Sequence, residues 1–460
     1  MNPHQIFADI HVHPTLKPFV ANNISDPWND YTTQDTSQVY NRTTQFSRAN
    51  FNALISSNTR LICHYITVLE RFLFSKIFTQ PAIMARVLNL DIKKLREINA
   101  SRPFTIFKQE LEFLKNHQIS PDKTKELVFI QNYQQIEETL SQKNKIGVIL
   151  SAEGAHCLGF EYLENFNANS KTELPEIPSI ELIDERITWF VNNHFKFITM
   201  NHFVFNYLGT MPKAVELNGI KKIIKNPVST LNYLGEYRGL TFLGNYFVQK
   251  CLQNRIVIDV KHCDAITRKH IYHLSKEYQF PIVASHFAVS GKVTNVSNHQ
   301  LLVKENSSNE RNKSEKFNPG DINFHDDDIY EIHRLGGLMG IIMDRRVLTS
   351  EKMLVKFMKE KLNQSLLIYY QIEHIYKVLV SKGVEPSKAF DSIALGSDFD
   401  GLIEPIYSCT SVRDYPKLEL DLVTFFEMNY TTFQDSGLTP YKIVSKIMRD
   451  NVLNFLKKVF

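Results

Sequence analysis

The sequence alternates short apolar runs with longer helical patterns along 460 residues, and this alternation restricts the fold more than any other feature. Eight of the runs have the length and aliphatic character of β-strands. They are Ile6–Val12, Leu127–Gln131, Gly147–Ser151, Lys196–His202, Arg255–His262, Pro281–Phe287, Gly337–Met343 and Ser392–Gly401. Most are continuous hydrophobic segments such as GVILS and RIVIDV, which is typical of parallel strands covered on both faces. We therefore expect an α/β fold, a (β/α)8 TIM barrel with helical and loop insertions.

Three stretches are longer than a minimal barrel needs, and we expect them to decorate it. Asn22–Asn52 is rich in Asn, Thr, Ser and Gln and predicts a long loop, whereas Thr59–His117 predicts mostly helix. Lys292–Asn318 is polar and charged and closely follows a strand, which is typical of a lid or of a disordered insertion. No internal repeat or change of composition marks a second unit. We therefore expect one barrel domain over residues 1–460, with insertions at about 22–117 and 292–318.

Charge and cysteine usage exclude several classes of partner. The 53 basic and 49 acidic residues give a formal net charge of +4, which offers no electrostatic case for nucleic acid or an anionic membrane and favours a small-molecule substrate. The five cysteines are scattered without CxxC spacing, which argues against a disulfide framework and a cysteine-type zinc site. No signal peptide is visible, and no apolar run approaches the roughly 18 residues that span a bilayer. We expect a cytoplasmic protein without a membrane span.

Acidic and imidazole side chains recur at the carboxyl ends of the predicted strands, where a TIM barrel builds its functional site. These are His11 and His13 after the first strand, Glu153 after the third, His202 after the fourth, His262 after the fifth, His286 after the sixth and Asp398 after the eighth. Each alone has an ordinary explanation, such as a helix cap, a buried histidine bonded to a carbonyl, or turn chemistry in GSDFDG. Because all of them fall at the same face of the barrel, a shared site is the better interpretation.

The chemistry of these side chains points to metal. Neutral imidazoles and carboxylates suit zinc and related divalent ions, and one carboxylate can bridge two of them. His11 and His13 share one face of a strand because side chains repeat with period two, so one strand can chelate with both. A bound divalent ion lowers the pKa of water from about 15.7 to about 7, which is sufficient reason to use a metal in hydrolysis. His156, Cys157 and Cys263 are expected to pack around the site, and Asp400 to shape the turn after Asp398.

Several segments are similar to those of one known family. PIVASHF is similar to an SHS strand end, IALGSDFDG to a GSDFDG signature, and RGLTFLGNYFVQKCLQNRIVIDVKH to a GLT(P)FG…DxSH stretch. VFIQNYQQIEETLSQKNKIGVILSAEGAH and the terminal IMRDNVLNFLKKVF also match landmarks of that family. The chain thus resembles the renal or membrane dipeptidase family of the amidohydrolase superfamily, over the first strand and from about residue 127 to the end.

The resemblance implies a binuclear zinc site and a dipeptidase-like hydrolase of amide bonds. His11 and His13 would hold one ion, Glu153 would bridge, and His262 and His286 would hold the second. A metal-bridged hydroxide would attack the scissile carbonyl of a dipeptide or similar small amide. Asp398 would act as general base, and His202 would bind the substrate and polarise its carbonyl. The family also leaves a homodimer open as the assembly.

Two positions depart from the family's pattern. The family has His-x-Asp on the first strand, whereas this sequence has His11-Val-His13, which removes one negative charge from the site. The family arginine that holds the substrate carboxylate follows the sixth strand, and the Lys292–Asn318 insertion interrupts that region. Arg311 or Lys316 could take its place as a substrate-binding residue. Hydrolysis of a cyclic amide, lactone or phosphoester, and a non-catalytic barrel used as a protein-binding module, stay open as alternatives.

Overall fold

A computed structural model describes residues 5–20, 26–30, 47–71, 91–161, 173, 176–203, 205–212, 238–292 and 316–460. Nine parallel strands form one sheet within these ranges. They are β1 (Phe7–Val12), β2 (Thr59–Ile66), β3 (Glu126–Phe129), β4 (Lys145–Ala152), β5 (Phe197–Thr199), β6 (Val257–Asp259), β7 (Val283–Phe287), β8 (Leu338–Ile341) and β9 (Ile393–Leu395). Of the insertion predicted at about 22–117, residues 22–25, 31–46 and 72–90 lie outside the described residues, as do residues 293–315 of the one predicted at 292–318.

Eight of the strands form a barrel in the order β1-β2-β4-β5-β6-β7-β8-β9. The last strand returns to the first just beyond its end, where Val12 forms a parallel bridge with Phe399 and the Asp398 N–H donates to the His11 carbonyl at 2.8 Å. The strands are almost wholly buried, as expected where helices cover the outer face and side chains fill the interior. The prediction of a (β/α)8 TIM barrel is confirmed.

Seven of the eight predicted strands belong to the barrel, and one does not. The predicted strand Leu127–Gln131 corresponds to β3, which pairs only with the first half of β4, on the edge that β5 continues. The barrel position expected for this strand, between β1 and β4, is occupied by β2. β2 lies in a stretch for which the sequence predicted mostly helix. The apolar pattern of β2 is broken by Arg60 and His64, which are nevertheless buried. Arg60 is accommodated because its guanidinium donates to the carbonyls of Thr139, Gln142 and Lys145, partners that the local sequence does not reveal.

Helices connect and cover the strands. They are α1 (Leu16–Val20), α2 (Phe51–Ser56), α3 (Ile92–Ala100), α4 (Pro103–Asn116), α5 (Tyr133–Leu140), α6 (Ile180–Asn192), α7 (Phe242–Gln253), α8 (Ala265–Glu277), α9 (Asp326–Arg334), α10 (Arg345–Leu348), α11 (Glu351–Lys359), α12 (Ser365–Ser381), α13 (Tyr415–Met428), α14 (Tyr430–Phe433), α15 (Pro440–Ser445) and α16 (Asn451–Val459). Ser179, Thr241 and Asp264 start α6, α7 and α8 by accepting a hydrogen bond from a backbone N–H in the first turn. Among the described helices, none combines the length and apolar character needed to cross a membrane.

Two glycines allow β7, β8 and β9 to approach closely beneath the strand ends. A Cβ atom on Gly396 would lie 1.7 Å from the carbonyl oxygen of Ser285, and one on Gly340 would lie 2.2 Å from the same oxygen. Any side chain at either position would therefore collide with the backbone of β7. Gly396 is the first residue of GSDFDG, so part of that motif serves to seat Ser285 in the barrel interior.

Candidate metal centre and active site

The seven predicted site residues converge at the carboxyl end of the barrel. His11 lies in β1 and His286 in β7, whereas the other five follow the ends of β1, β4, β5, β6 and β9. Their side chains are buried or nearly so, with 15% of the Asp398 side chain and 11% of the His202 side chain exposed. The cluster is thus enclosed by protein but open to a small molecule at Asp398 and His202.

The two histidines at the end of β1 face each other. The Nε2 atoms of His11 and His13 lie 3.0 Å apart. Asp398 Oδ1 lies 3.3 Å from His13 Nε2 and 3.9 Å from His11 Nε2. One ligand atom from each of these three residues falls within 4.8 Å of the others, which is close enough to share one ion.

A second facing pair stands on the neighbouring strands. The Nε2 atoms of His262 and His286 are also 3.0 Å apart, and each lies 3.6 Å from Glu153 Oε1. The same carboxylate reaches the first pair, with Oε1 3.5 Å from His11 Nε2 and Oε2 3.4 Å from His13 Nε2. Glu153 therefore stands between two imidazole pairs, in the position that a bridging carboxylate takes.

Ser285 fixes the tautomers of two of these histidines. Its hydroxyl donates to Asp259 Oδ2 at 2.5 Å, so Ser285 Oγ can only accept from the Nδ1 atoms of His11 at 2.8 Å and His286 at 3.0 Å. His13 Nδ1 likewise donates to the Tyr65 carbonyl at 2.8 Å. With the proton on Nδ1, each ring turns an Nε2 lone pair toward the site, which is the arrangement that supporting hydrogen bonds impose on metal-binding histidines.

This donor set fits a divalent cation. His11 and His13 both carry their proton on Nδ1, so their Nε2 lone pairs face each other at 3.0 Å. Such lone pairs repel unless a cation or a second proton lies between them. Four imidazoles around a carboxylate are the ligands that zinc and similar ions prefer.

Electrostatics keep Glu153 ionised. Burial raises the pKa of Glu153, but the positive charge of His202 and the nearby imidazoles of His11 and His262 outweigh burial and hold that pKa well below its usual range. Burial lowers the pKa of His262 to about 4, although its hydrogen bond to Glu153 acts in the opposite direction. A charged carboxylate beside the neutral imidazole of His262 is the protonation state that metal binding requires at that pair.

His202 is oriented by a residue that sequence reasoning missed. Glu70 Oε1 accepts hydrogen bonds from His202 Nδ1 at 2.7 Å and from the Phe203 N–H at 2.9 Å, leaving His202 Nε2 3.7 Å from Glu153 Oε2. Burial lowers the pKa of His202, but the charges of Glu70 and Glu153 raise it to about 9. Glu70 follows β2, a strand that the sequence did not predict, so no motif identified Glu70 as a site residue. His156, expected to pack nearby, stacks its ring parallel to that of His202.

The GSDFDG turn separates two acidic residues with different tasks. Asp398 and Asp400 both have a positive φ, at 61° and 67°, a region that aspartate tolerates better than most residues. Asp398 points to the histidines, whereas Asp400 binds Lys17 Nζ at 2.9 Å and the backbone N–H groups of Arg48 and Ala49. Asp400 therefore holds the turn, in agreement with the sequence prediction.

Of the two cations suggested for substrate binding, one lies within the described residues, and it is engaged away from this cluster. Arg311 lies outside the described residues. Lys316 Nζ binds Glu373 Oε2 at 2.9 Å and lies over the Tyr370 ring. Both partners belong to α12, so the charge of Lys316 is bound there.

The barrel is shared with solved metallopeptidases. A metallopeptidase from Rhodobacter sphaeroides, liganded with a phosphinate mimic of the dipeptide L-Ala-D-Ala, has a TM-score of 0.58 at 12% identity, over 99% of each chain. Dipeptidase AC, a metallopeptidase of family M19, has a TM-score of 0.58 at 13% identity, over 99% of this chain and 98% of its own. The probable dipeptidase PvdM from Pseudomonas aeruginosa has a TM-score of 0.56 at 12% identity, over 99% of this chain and 95% of its own.

These comparisons establish that the chain has the fold of the metallo-dipeptidases, as the sequence resemblance predicted. No family model and no curated protein matches the sequence itself. The likeness is thus one of structure. The chemistry of this chain depends on the residues at its strand ends.

Proposed function

We propose that this protein is a metal-dependent hydrolase of amide bonds, acting on a dipeptide or a similar small amide. The observation that carries the proposal is the placement of Glu153 between two facing imidazole pairs, each with an Nε2–Nε2 distance of 3.0 Å. A dipeptidase and a metallopeptidase bound to a dipeptide mimic are among the solved structures that share the fold, which supports a peptide-like substrate.

The ligands divide into two groups around one carboxylate. His11 and His13 would hold one divalent ion with Glu153, and His262 and His286 would hold a second with the same carboxylate; zinc is the expected metal. When bound, such ions acidify a water molecule and polarise a substrate carbonyl.

Two side chains would handle the protons and the developing charge. Asp398, on the exposed side of the His11–His13 pair, would accept a proton from the attacking water and pass it to the leaving amine. His202, held by Glu70 through Nδ1, would donate its Nε2–H to the substrate carbonyl oxygen and stabilise the negative charge that forms there. Both are the more accessible members of the cluster, which is where a substrate must enter.

Metal content tests the ligand assignment. Elemental analysis of wild type purified without chelator, and of Glu153→Gln, is expected to give about two divalent ions per chain in the first and a sharp loss in the second. Glu126→Gln serves as the matched control, because Glu126 pairs with Lys145 at the opposite end of the barrel. Little metal in wild type after reconstitution would reject the proposal.

Hydrolysis tests the chemistry. Metal-loaded wild type should cleave members of a dipeptide and small-amide panel, and Asp398→Asn should lower kcat by about 100-fold or more while retaining metal. Asparagine is suitable because it tolerates the left-handed backbone of Asp398. The panel includes lactones and phosphoesters, and cleavage of those alone would replace the amide assignment.

A further inference from the structure

Phe203 places an aromatic ring against two histidines of the candidate site. Its ring centroid lies 3.9 Å from that of His202, and it meets the His262 ring edge-on with 5.4 Å between centroids. The His262 residue is 6% exposed and the His202 side chain 11%, whereas Phe203 is half-buried. Ligand sites are typically lined by aromatic side chains beside a few polar groups, and this arrangement has that character.

A buried carboxylate holds the ring in this place. The Phe203 N–H donates to Glu70 Oε1 at 2.9 Å, and the same oxygen accepts a hydrogen bond from His202 Nδ1 at 2.7 Å. Glu70 is 1% exposed, and hydrogen bonds to a charged acceptor are the strong ones. The shared carboxylate thus fixes the Phe203 backbone relative to the His202 ring, and packing on two imidazoles restrains the aromatic side chain.

The two sides of the site differ in polarity. Asp398 lies beside the first imidazole pair, with Oδ1 3.3 Å from His13 Nε2. Phe203 lies beside the second pair, through its contact with His262. The acyl side chain and the leaving amine of an amide extend in different directions from the carbonyl carbon. In the proposed reaction the amine takes its proton from Asp398 and therefore faces that carboxylate, which directs the acyl side chain toward Phe203.

We propose that Phe203 forms an apolar subsite for the acyl side chain, so that the protein selects small amides whose acyl residue carries a large apolar group. This inference rests on the proposed function and names its substrate class. A benzyl group laid against the ring removes apolar surface of both partners from water, and covering about 60 Å² of additional surface strengthens binding by roughly 10-fold. A methyl group covers little of the ring, and a polar side chain would lose hydration against it.

Two pairs of matched inhibitors test the assignment without requiring turnover. All are phosphinate dipeptide mimics; one pair differs only in a methyl or a benzyl group on the acyl side, and the other pair differs in the same way on the amine side. Calorimetry on metal-loaded wild type should give about 10-fold tighter binding of the acyl-side benzyl compound than of its methyl partner. Phe203→Ala should reduce this preference to less than about 2-fold and leave the amine-side preference unchanged within about 2-fold.

A conservative variant and a matched control complete the test. Phe203→Leu keeps an apolar side chain but removes the aromatic face, and it should retain an acyl-side preference of about 3- to 5-fold. Phe129→Ala is the control, because Phe129 is a half-buried phenylalanine on β3, outside the barrel, and this variant should keep the wild-type preference. Elemental analysis follows the metal content of each variant. If Phe203→Ala does not retain metal, Phe203→Leu decides, since leucine still covers His262.

Each other outcome overturns the assignment. Equal binding of the acyl-side pair by wild type, or a preference for the methyl compound, excludes the apolar subsite and needs no variant. A wild-type preference that persists unchanged in Phe203→Leu and Phe203→Ala places recognition on another residue. Equal loss of preference on the acyl and the amine side in Phe203→Ala shows that the ring maintains the packing of the whole site and does not contact the acyl group.

The two proposals fail separately. Acyl-side selectivity that depends on Phe203, in a protein that hydrolyses no amide, would reject the proposed function and retain the apolar subsite. Amide hydrolysis with equal kcat/KM for alanyl and phenylalanyl dipeptides of one leaving amine would do the reverse.

Discussion

Ser285 Oγ accepts a hydrogen bond from Nδ1 of His11 at 2.8 Å, so a serine on β7 fixes the tautomer of a histidine on β1. The same oxygen accepts from His286 Nδ1 and donates to Asp259, and it therefore connects both imidazole pairs to one buried carboxylate. A single hydroxyl thus orients one imidazole of each pair.

Removal of this hydroxyl should weaken metal binding. Ser285→Ala leaves His11 and His286 free to place the proton on Nε2, and we expect metal affinity to fall by about 10- to 100-fold. Competition with a chromophoric chelator measures the change. Ser275→Ala is the control, because Ser275 is a buried residue of α8. Its hydroxyl donates to the Phe280 carbonyl, away from the site. Equal loss in both variants would indicate a general packing defect.

Glu70 should set the protonation of His202. The charges of Glu70 and Glu153 raise the pKa of His202 to about 9 against the effect of burial. Removing the Glu70 charge should therefore lower the midpoint of the His202 titration. We expect Glu70→Gln to lower this midpoint by about one pH unit or more. Nitrogen NMR of the imidazole rings in metal-free protein follows the titration directly. Glu373→Gln provides the control on α12, and an unshifted midpoint in Glu70→Gln would contradict the assignment.

The sequence predicted those parts of the molecule that carry local patterns. Seven barrel strands are continuous apolar runs, and the polar residues that end them gather at one face as expected. β2 was not predicted because Arg60 and His64 are buried by partners far away in sequence. Periodicity reports burial by apolar side chains, so a strand that buries polar groups through distant hydrogen bonds gives a misleading pattern.

The residues that support the site were hidden for a related reason. Glu70 depends on β2, and Ser285 stands in PIVASHF without any sign that its oxygen would meet His11. Ligands recur at strand ends and can be read from the chain, whereas the hydrogen bonds that orient them exist only once the barrel has closed.

Asp400 and Lys17 should be coupled in stability. Their side chains are buried and lie 2.9 Å apart, so Asp400→Asn removes a carboxylate that binds the buried Lys17 ammonium. We expect a loss of about 3 kcal/mol in the free energy of unfolding. Adding Lys17→Met should recover part of that loss, because the buried ammonium is then removed as well. Urea unfolding of Asp400→Asn, of Lys17→Met and of the double variant gives the coupling, and strictly additive effects would show that the pair is not coupled.

Glu110 should make the protein less stable as pH rises. It is buried on α4, where Thr15 donates to its carboxylate at 2.7 Å, and burial raises its pKa from 4.5 to about 7. The folded state therefore binds this proton more tightly than the unfolded state. Below pH 4.5 the group has no effect, and the loss of stability develops between pH 4.5 and 7. Above pH 7 the loss is complete, at about 2.5 pKa units or roughly 3 kcal/mol.

Glu110→Gln tests this pH dependence, because glutamine keeps an acceptor for Thr15 and never ionises. The variant should be more stable than wild type by up to about 3 kcal/mol at pH 8 and by less than about 1 kcal/mol at pH 5. Urea unfolding at the two pH values measures both differences. Glu112→Gln, on the same helix with 63% of its side chain exposed, should show no such dependence. A stability difference between Glu110→Gln and wild type that is equal at pH 5 and pH 8 would mean that Glu110 does not change its protonation on folding.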